Sequence, residues 1–211
     1  MKVKKTKKAG ILGGTFDPVH TGHLFIAQTA LDEVNLDQVI FVPSGHPPHK
    51  TDHKITDASH RLQMVREAIG TNPLFSCSTL ETDNSRVGYT YNLLKTMTDQ
   101  HPEVEFYFIM GADSFMEIKT WYRYDELLTM AGFIVMKRKG YNSNELDHQT
   151  ESFIESHQTR IIILDSPKLD ISSSDIRDRR QRGKSIKYLV PEKVESYINQ
   201  NNLYRDEQEC L

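Results

Sequence analysis

The chain has 211 residues, 37% of them hydrophobic and 26% charged, and its formal net charge is −3 at pH 7. This length suits one α/β domain, or one domain with a small appended lobe, and it is long enough to bury a sizeable core. The acidic balance excludes a protein-wide basic field for gripping nucleic acid, and no apolar run approaches the roughly 18 residues of a membrane span. Cys77 and Cys210 lie far apart without a CxxC pair, so neither a disulfide scaffold nor a cysteine-rich zinc site is expected.

The amino-terminal sequence MKVKKTKK is basic, but the apolar stretch after it is only AGIL, ahead of Gly13 and Gly14. Such a stretch is too short for the hydrophobic region of a signal peptide. We therefore expect a reducing, cytoplasmic location. We also expect residues 1–8 to be a frayed start outside the folded core.

Strand-like and helix-like segments alternate along the chain. Short apolar runs predict strands at Ala9–Leu12, Gln38–Pro43, Leu74–Leu80, Val104–Met110, Phe133–Lys137 and Arg160–Leu164. Apolar residues at helical spacing predict helices at Gly22–Asn35, Asp57–Gly70, Tyr89–Gln100, Ala112–Lys119, Tyr124–Ala131 and, with a weaker pattern, Asn144–Ser156. Two closing helices begin at Ser172 and Pro191, within a helical segment over 172–211.

This βαβα order predicts an α/β fold, a doubly wound open parallel sheet with helices on both faces, in a single domain over residues 1–211. Ligands of such sheets bind beyond the carboxyl ends of the strands. The turns that directly follow strands are therefore the segments in which to look for functional residues.

The turn after the first strand begins the run GGTFDPVHTGHL, residues 13–24. Gly13 and Gly14 allow a ligand to approach the backbone closely, and His20 and His23 stand where a helix begins. The first N–H groups of a helix lack partners within it and lie at the positive end of its dipole, which favours phosphate. A glycine-rich turn with two incidental histidines is the plainer interpretation, but the length of the combined pattern disfavours it.

A second candidate phosphate site is the run ISSSDIR, residues 171–177. Ser172 and Asp175 have the spacing of a capping box, and Ser173 and Arg177 share one helical face. Hydroxyl groups, a helix start and a guanidinium together suit a polyphosphate. Taken alone, the segment also fits an ordinary capped helix with solvated arginines.

The polar loop at residues 44–56 contains Pro47-Pro48-His49-Lys50. Prolines stiffen the backbone and reduce the entropy that a loop loses when it orders on a ligand. His49 and Lys50 are therefore candidates for a second phosphate, although a merely basic loop has the same composition.

Aromatic and small polar residues suggest a pocket for a ring. An indole such as Trp121, beside Tyr122, stacks on a planar pyridinium ring, and Thr90 or nearby N–H groups suit a carboxylate. A core anchor is the alternative role for Trp121. Gly111-Ala112-Asp113 follows the fourth predicted strand, where Asp113 is a candidate helix cap.

Two other interpretations fit the sequence less well. Six of the nine histidines fall between residues 20 and 60, but no cysteine or acidic ligand accompanies them at the spacing of a zinc site. Four arginines fall between residues 177 and 182, but Asp175 and Asp178 dilute this basic patch. We therefore expect neither a metal site in the protein nor a nucleic-acid partner.

GGTFDPVHTGHL resembles the HxGH signature of the nucleotidylyltransferase superfamily, and its form GGTFDPxHxGHL is similar to that of nicotinate-nucleotide adenylyltransferases. ISSSDIR resembles the ISSTxxR motif of the superfamily, with Ser174 in place of threonine. PPHK resembles the family's nucleotide-substrate loop, WYRYDELL its tryptophan segment, and Gly111-Ala112-Asp113 its GxD turn. The resemblance extends from Gly13 to the terminal LVPEKVESYI segment.

The resemblance implies a Rossmann-like nucleotidylyltransferase fold. It also implies an enzyme of NAD biosynthesis that transfers the adenylyl group of ATP to nicotinate mononucleotide, giving nicotinate adenine dinucleotide and pyrophosphate. Mg²⁺ would accompany ATP, held mainly by phosphate oxygens and water. No membrane partner is implied, and the oligomeric state stays open, a homo-oligomer included.

The same resemblance assigns roles to individual residues. His20, His23 and Arg177 are the expected catalytic residues. The expected ATP contacts are Gly13, Gly14, Thr15, Phe16, His20, His23, Gly111, Asp113, Ile171, Ser173, Ser174 and Arg177. The expected contacts of nicotinate mononucleotide are His49, Lys50, Thr90, Trp121 and Tyr122.

Two alternatives remain. An adenylyltransferase for nicotinamide mononucleotide or for pantetheine phosphate keeps the fold and changes the acceptor, although Trp121 and the PPHK run disfavour pantetheine. A non-catalytic nucleotide sensor belongs to another functional class, and the intact HxGH and Ser/Arg motifs disfavour it.

Overall fold

The structure, a computed structural model, describes residues 7–45, 55–81, 88–138, 143–167 and 169–205. Within these ranges six strands form one sheet, namely β1 (Lys7–Gly14), β2 (Gln38–Pro43), β3 (Phe75–Cys77), β4 (Val104–Gly111), β5 (Gly132–Arg138) and β6 (Ile161–Ser166). The helices are α1 (Thr21–Glu33), α2 (Ala58–Ile69), α3 (Thr90–Gln100), α4 (Ala112–Met116), α5 (Tyr124–Met130), α6 (Ser143–His157), α7 (Ser173–Gln181) and α8 (Glu192–Gln200), with a 3₁₀ turn at Ile118–Thr120.

The strand order in the sheet is β3-β2-β1-β4-β5-β6, and every neighbouring pair is parallel. This confirms the predicted open parallel sheet. The order reverses between β1 and β4, which pair directly, with Leu12 opposite Ile109. Such a switch point leaves a crevice beyond the carboxyl ends of the two strands. The turn after β1 and the turn after β4 therefore open toward the same space.

Apolar side chains cover both faces of the sheet. Leu12 of β1 packs in a cluster with Val65 of α2 on one face, and its neighbour Ile11 packs with Leu94 of α3 on the other. Alternating side chains of a strand point to opposite faces, so the continuous apolar runs of the central strands match burial on both sides. The prediction of helices on both faces is confirmed.

The predicted start of the chain was wrong at two positions. We expected residues 1–8 to be frayed, but β1 begins at Lys7, and Lys7 and Lys8 pair with Val104 and Glu105 of β4. The Lys8 carbonyl also accepts from the Asp37 N–H at 2.8 Å. These strand partners satisfy backbone groups that a frayed segment leaves to water.

Some element bounds differ from the prediction. β3 covers only Phe75–Cys77 of the expected Leu74–Leu80, because this edge strand pairs with β2 alone. The weak helix pattern at 144–156 is a full helix, α6, which buries Leu146 and Phe153. No helix among the described residues is both long and apolar enough to cross a membrane.

Candidate active site

Two cavities lie beyond the carboxyl ends of the strands. Cavity A has a volume of about 410 Å³ and is bounded by the start of α1, by the end of β5 and by the start of α7. Cavity B has a volume of about 500 Å³ and is bounded by the end of β1, by the start of α3 and by the aromatic pair Trp121 and Tyr122. His23, Ile26 and Gly111 line both cavities. Ligands in the two cavities would therefore meet at His23.

The structure brings most of the predicted site residues to these cavities. The predicted ATP contacts that line cavity A are His20, His23, Gly111, Asp113, Ile171, Ser173, Ser174 and Arg177. Gly13 and Gly14 line cavity B, together with three predicted contacts of the mononucleotide, Thr90, Trp121 and Tyr122. His49 and Lys50 lie outside the described residues, so their role stays a prediction.

The two histidines form a stacked pair at the start of α1. Their ring centroids are 3.7 Å apart, and the backbone N–H of His20 donates to Nδ1 of His23 at 3.2 Å. Because Nδ1 of His23 accepts this bond, the ring proton of a neutral His23 is on Nε2. His23 therefore presents an N–H donor at its far edge.

His20 is only 7% exposed. Loss of hydration on burial lowers the pKa of its imidazole from 6.5 to about 4, because burial disfavours the charged form. At pH 7 His20 is therefore a neutral imidazole that offers a hydrogen bond without a positive charge.

Gly22 makes room for the histidine pair. A Cβ atom at this position would lie 3.0 Å from Nδ1 and 3.1 Å from Cε1 of His20. The glycine between the two histidines thus lets the His20 ring lie against the first turn of α1. This close approach gives a physical reason for the glycine in HTGH.

Thr15 and Phe16 belong to the signature segment, residues 13–24. Phe16 is buried at 1% exposure, with its ring edge-on to His23 at 5.0 Å and tilted against Phe41 at 5.8 Å. Neither Thr15 nor Phe16 lines either cavity. Phe16 therefore packs against His23, and a direct ATP contact of Thr15 or Phe16 stays a prediction.

Helix α7 is capped as the sequence predicted. Ser172 Oγ accepts from the Asp175 N–H at 3.1 Å. This bond engages the N–H of the third helical residue, and the N–H groups of Ser173 and Ser174 at the helix start are the ones that a ligand could use. The Ser173 hydroxyl donates to the Pro18 carbonyl at 2.9 Å. Because that proton is engaged, Ser173 would contribute its backbone N–H to a phosphate and not its hydroxyl proton.

The carboxyl-terminal part of the chain is bonded to the signature segment. Arg177 donates to the backbone carbonyl of Asp17 at 2.7 Å, and the Tyr204 hydroxyl donates to the Asp17 carboxylate at 2.6 Å. The Thr21 N–H and hydroxyl both donate to the Leu189 carbonyl, at 3.0 and 2.9 Å. Signature segment and α7 therefore form one continuous wall of cavity A.

Cavity B has an aromatic wall and a helix start. The Trp121 ring packs edge-on against Phe108, with ring centroids 6.0 Å apart, and the ring centroids of Tyr122 and Tyr89 are 4.8 Å apart. Trp121 is thus both a contact of the core and a wall of the cavity. Thr90 is the first residue of α3, where unpaired N–H groups and the helix dipole favour a carboxylate.

Sequence reasoning missed two charged residues of the cavities. Arg138 lines cavity A at the last residue of β5, one position beyond the predicted strand end. Glu81 lines cavity B, and burial raises the pKa of its carboxyl group. A more accurate end for β5 would have drawn attention to Arg138, whereas no sequence pattern marks Glu81.

The described residues include no cluster of three or more histidine, cysteine or acidic side chains that could hold a metal ion. Asp113 brings a carboxylate to cavity A. A divalent cation in cavity A would have this one described carboxylate as a ligand, and its other ligands would have to come from a bound phosphate compound and water.

Comparison with known proteins identifies the family. The cytidylyltransferase-like family model matches residues 11–179. The chain is 45% identical over 199 residues to a probable nicotinate-nucleotide adenylyltransferase of Clostridium novyi, covering 94% of this chain and 100% of that protein. It is 45% identical over 204 residues to one of Moorella thermoacetica, covering 96% of this chain and 94% of that protein.

A solved structure extends this likeness to the fold. The nicotinic acid mononucleotide adenylyltransferase of Plasmodium falciparum, complexed with NaAD, matches with a TM-score of 0.76 at 26% identity. The match covers 94% of this chain and 97% of that chain. The chain therefore belongs to the cytidylyltransferase-like family and, within it, to the nicotinate-nucleotide adenylyltransferases.

Proposed function

We propose that this protein transfers the adenylyl group of ATP to nicotinate mononucleotide and releases pyrophosphate. The observation that supports this most directly is the meeting of two cavities at His23, one with the features of a polyphosphate site and one with an aromatic wall. When a phosphate of one substrate reacts with a phosphate of the other, the two binding cavities must adjoin at the reacting groups. Family membership favours this pair of substrates over others.

ATP is assigned to cavity A. Its phosphates face the starts of α1 and α7, where unpaired N–H groups and helix dipoles favour anions, and Arg177 adds a guanidinium. Apolar side chains such as Met136 and Leu169 suit the adenine base. Asp113 is the carboxylate of cavity A that could help to hold a Mg²⁺ ion bound with ATP, and such an ion would offset part of the triphosphate charge.

Nicotinate mononucleotide is assigned to cavity B. Its pyridinium ring stacks on Trp121, and its carboxylate accepts hydrogen bonds at the start of α3, beside Thr90. With the ring in that position, the 5′-phosphate extends toward His23. His49 and Lys50 are proposed to bind this phosphate as well.

The chemistry requires placement more than proton transfer. An oxygen of the mononucleotide phosphate attacks the α-phosphorus of ATP, a new P–O bond forms, and the bond to the bridging oxygen breaks, so that pyrophosphate leaves. The attacking phosphate is already anionic near pH 7, so no strong general base is needed. Catalysis therefore consists of positioning and charge stabilisation.

The histidine pair divides this work. His23 Nε2–H donates to a phosphoryl oxygen at the junction of the cavities, and its Nδ1 is held by the backbone of His20. Neutral His20 adds a second donor near the α-phosphate. Arg177 stabilises the charge that develops on the leaving pyrophosphate.

The proposal is tested by steady-state turnover with ATP and either nicotinate or nicotinamide mononucleotide, measured as pyrophosphate release. We expect rapid release with the acid. Preferential turnover with the amide would show that nicotinamide mononucleotide is the acceptor. Binding of nucleotide without turnover of either acceptor would favour a non-catalytic nucleotide sensor.

A further inference from the structure

Arg61 of α2 is a buried arginine that lies behind the site. It is 1% exposed, and its guanidinium donates to four backbone carbonyls. Nε donates to Thr56 at 2.8 Å, Nη1 donates to Thr15 at 2.7 Å and to Ser44 at 2.7 Å, and Nη2 donates to Gly45 at 3.1 Å. One side chain thus joins three separate stretches of backbone.

Two of these stretches belong to the proposed site. Thr15 lies in the signature segment, next to Phe16, whose ring packs against His23. Ser44 follows β2 and lines cavity B. The Ser44 N–H also donates to the Gly14 carbonyl at 2.9 Å. Arg61 therefore connects the wall of cavity B, the proposed acceptor cavity, to the signature segment that contains Phe16 and His23.

Packing alone does not explain an arginine here. A buried guanidinium costs more desolvation free energy than an apolar side chain of similar volume. Burial indeed lowers the pKa of Arg61, and the negative charge of Asp17 only partly opposes this. All four acceptors are backbone carbonyls, and an apolar side chain at this position would remove all four bonds.

We propose that Arg61 is a positioning residue for adenylyl transfer, which fixes the acceptor cavity relative to the histidine pair through the carbonyls of Thr15, Ser44 and Gly45. This inference rests on the proposed function. Arg61 lines neither cavity and so acts through the backbone. Small errors in the placement of reacting groups cost large factors in rate.

The test compares Arg61→Met and Arg61→Lys with two controls on the same helix. Val65→Ala destabilises the core without touching the four carbonyls, and Arg66→Met removes an exposed charge. In Arg61→Met, kcat/KM for nicotinate mononucleotide should fall by about ten- to a hundredfold, while KM for ATP stays within about twofold. Arg61→Lys, which keeps one charged donor group, should recover part of the loss.

Amide hydrogen exchange tests the contact independently of turnover. Exchange at Ser44 and Gly45 should quicken in Arg61→Met or, if that variant does not fold, in Arg61→Lys. Unchanged exchange at these residues, or acceptor kinetics in a folded variant that equal those of Val65→Ala, would overturn the role of Arg61. If the wild-type protein does not turn over nicotinate mononucleotide, that result contradicts the proposed function and not the role of Arg61. The exchange measurement still decides whether Arg61 fixes the backbone at Ser44 and Gly45.

Discussion

The backbone N–H of His20 holds Nδ1 of His23, and the two imidazoles stack 3.7 Å apart. The first histidine of the signature thereby sets the ring orientation and the tautomer of the second. The HxGH spacing has a direct structural meaning, since N-cap and third helical residue bond to each other across one turn.

Replacing His23 by alanine should remove a donor aimed at the reacting phosphoryl group. The loss of one such donor costs roughly 2.7–4 kcal/mol, or about a hundred- to a thousandfold in kcat. Steady-state kinetics together with a circular dichroism melt check this. A folded His23→Ala protein with near wild-type kcat would contradict the assignment.

The buried His20 should make the fold acid-sensitive. The pKa of His20 is lowered to about 4 in the fold from 6.5 in the unfolded chain, so the unfolded state binds more protons between these values. Above pH 6.5 His20 is neutral in both states and the free energy of unfolding keeps its full value. As the pH falls from 6.5 toward 4, the free energy of unfolding decreases by at most about 3 kcal/mol.

Urea unfolding at several pH values measures this effect. His20→Gln, which does not titrate, should show a flatter stability profile between pH 6.5 and 4 than the wild-type protein. Parallel profiles for the two proteins would show that His20 does not cause the acid sensitivity.

Arg177→Lys should raise KM for ATP and lower kcat/KM, because lysine cannot reproduce the two-pronged contact of a guanidinium with phosphate. It also weakens the bond to the Asp17 carbonyl. KM for the mononucleotide should change little. Arg179→Lys is a matched control, because Arg179 lies on the same helix as Arg177, donates to the Ser185 carbonyl beyond that helix and lines neither cavity.

Glu81→Gln should stabilise the protein at neutral pH. The pKa of Glu81 is raised by burial, so its charged form costs stability in the fold, and this cost disappears as the pH falls through the raised pKa toward 4.5. The Tm advantage of the variant should therefore shrink in acid. Glu151→Gln, at an exposed position of α6, controls for the loss of a surface charge, and an equal gain there would refute the burial explanation.

The acceptor cavity should prefer the acid to the amide. Donors at the start of α3 match a carboxylate, whereas the amide NH₂ leaves one of them unpaired, at a cost of roughly 1.5–3 kcal/mol. We expect at least about a tenfold preference in kcat/KM for nicotinate mononucleotide. Trp121→Ala should lower kcat/KM for both mononucleotides by a similar factor. Thr90→Val should reduce the difference in kcat/KM between the acid and the amide. Equal use of both mononucleotides by the wild-type protein would show that the cavity does not recognise the carboxylate.

Sequence patterns predict those parts of the candidate site that are built from residues close together in the sequence. The glycine-rich turn, the histidine pair and the capped α7 each form within a few residues, so spacing alone reveals them. Arg61 and Glu81 escape such reasoning, because a single charged residue in a polar stretch looks solvated. Their roles depend on contacts with segments remote in sequence, and such contacts leave no periodic pattern.

The bonds from Ser173 and Tyr204 to the signature segment span 155 and 187 residues of sequence. Contacts at such separation close long loops of the chain, and closing a long loop costs more conformational entropy than forming a local contact. The turn after β1 is therefore synthesised early, but its bonds to Ser173 and Tyr204 can form only after those residues have been synthesised. During translation its buried Asp17 has no tyrosine partner until the carboxyl-terminal segment arrives, so the nascent chain cannot assemble the complete site before nearly all of it has been made.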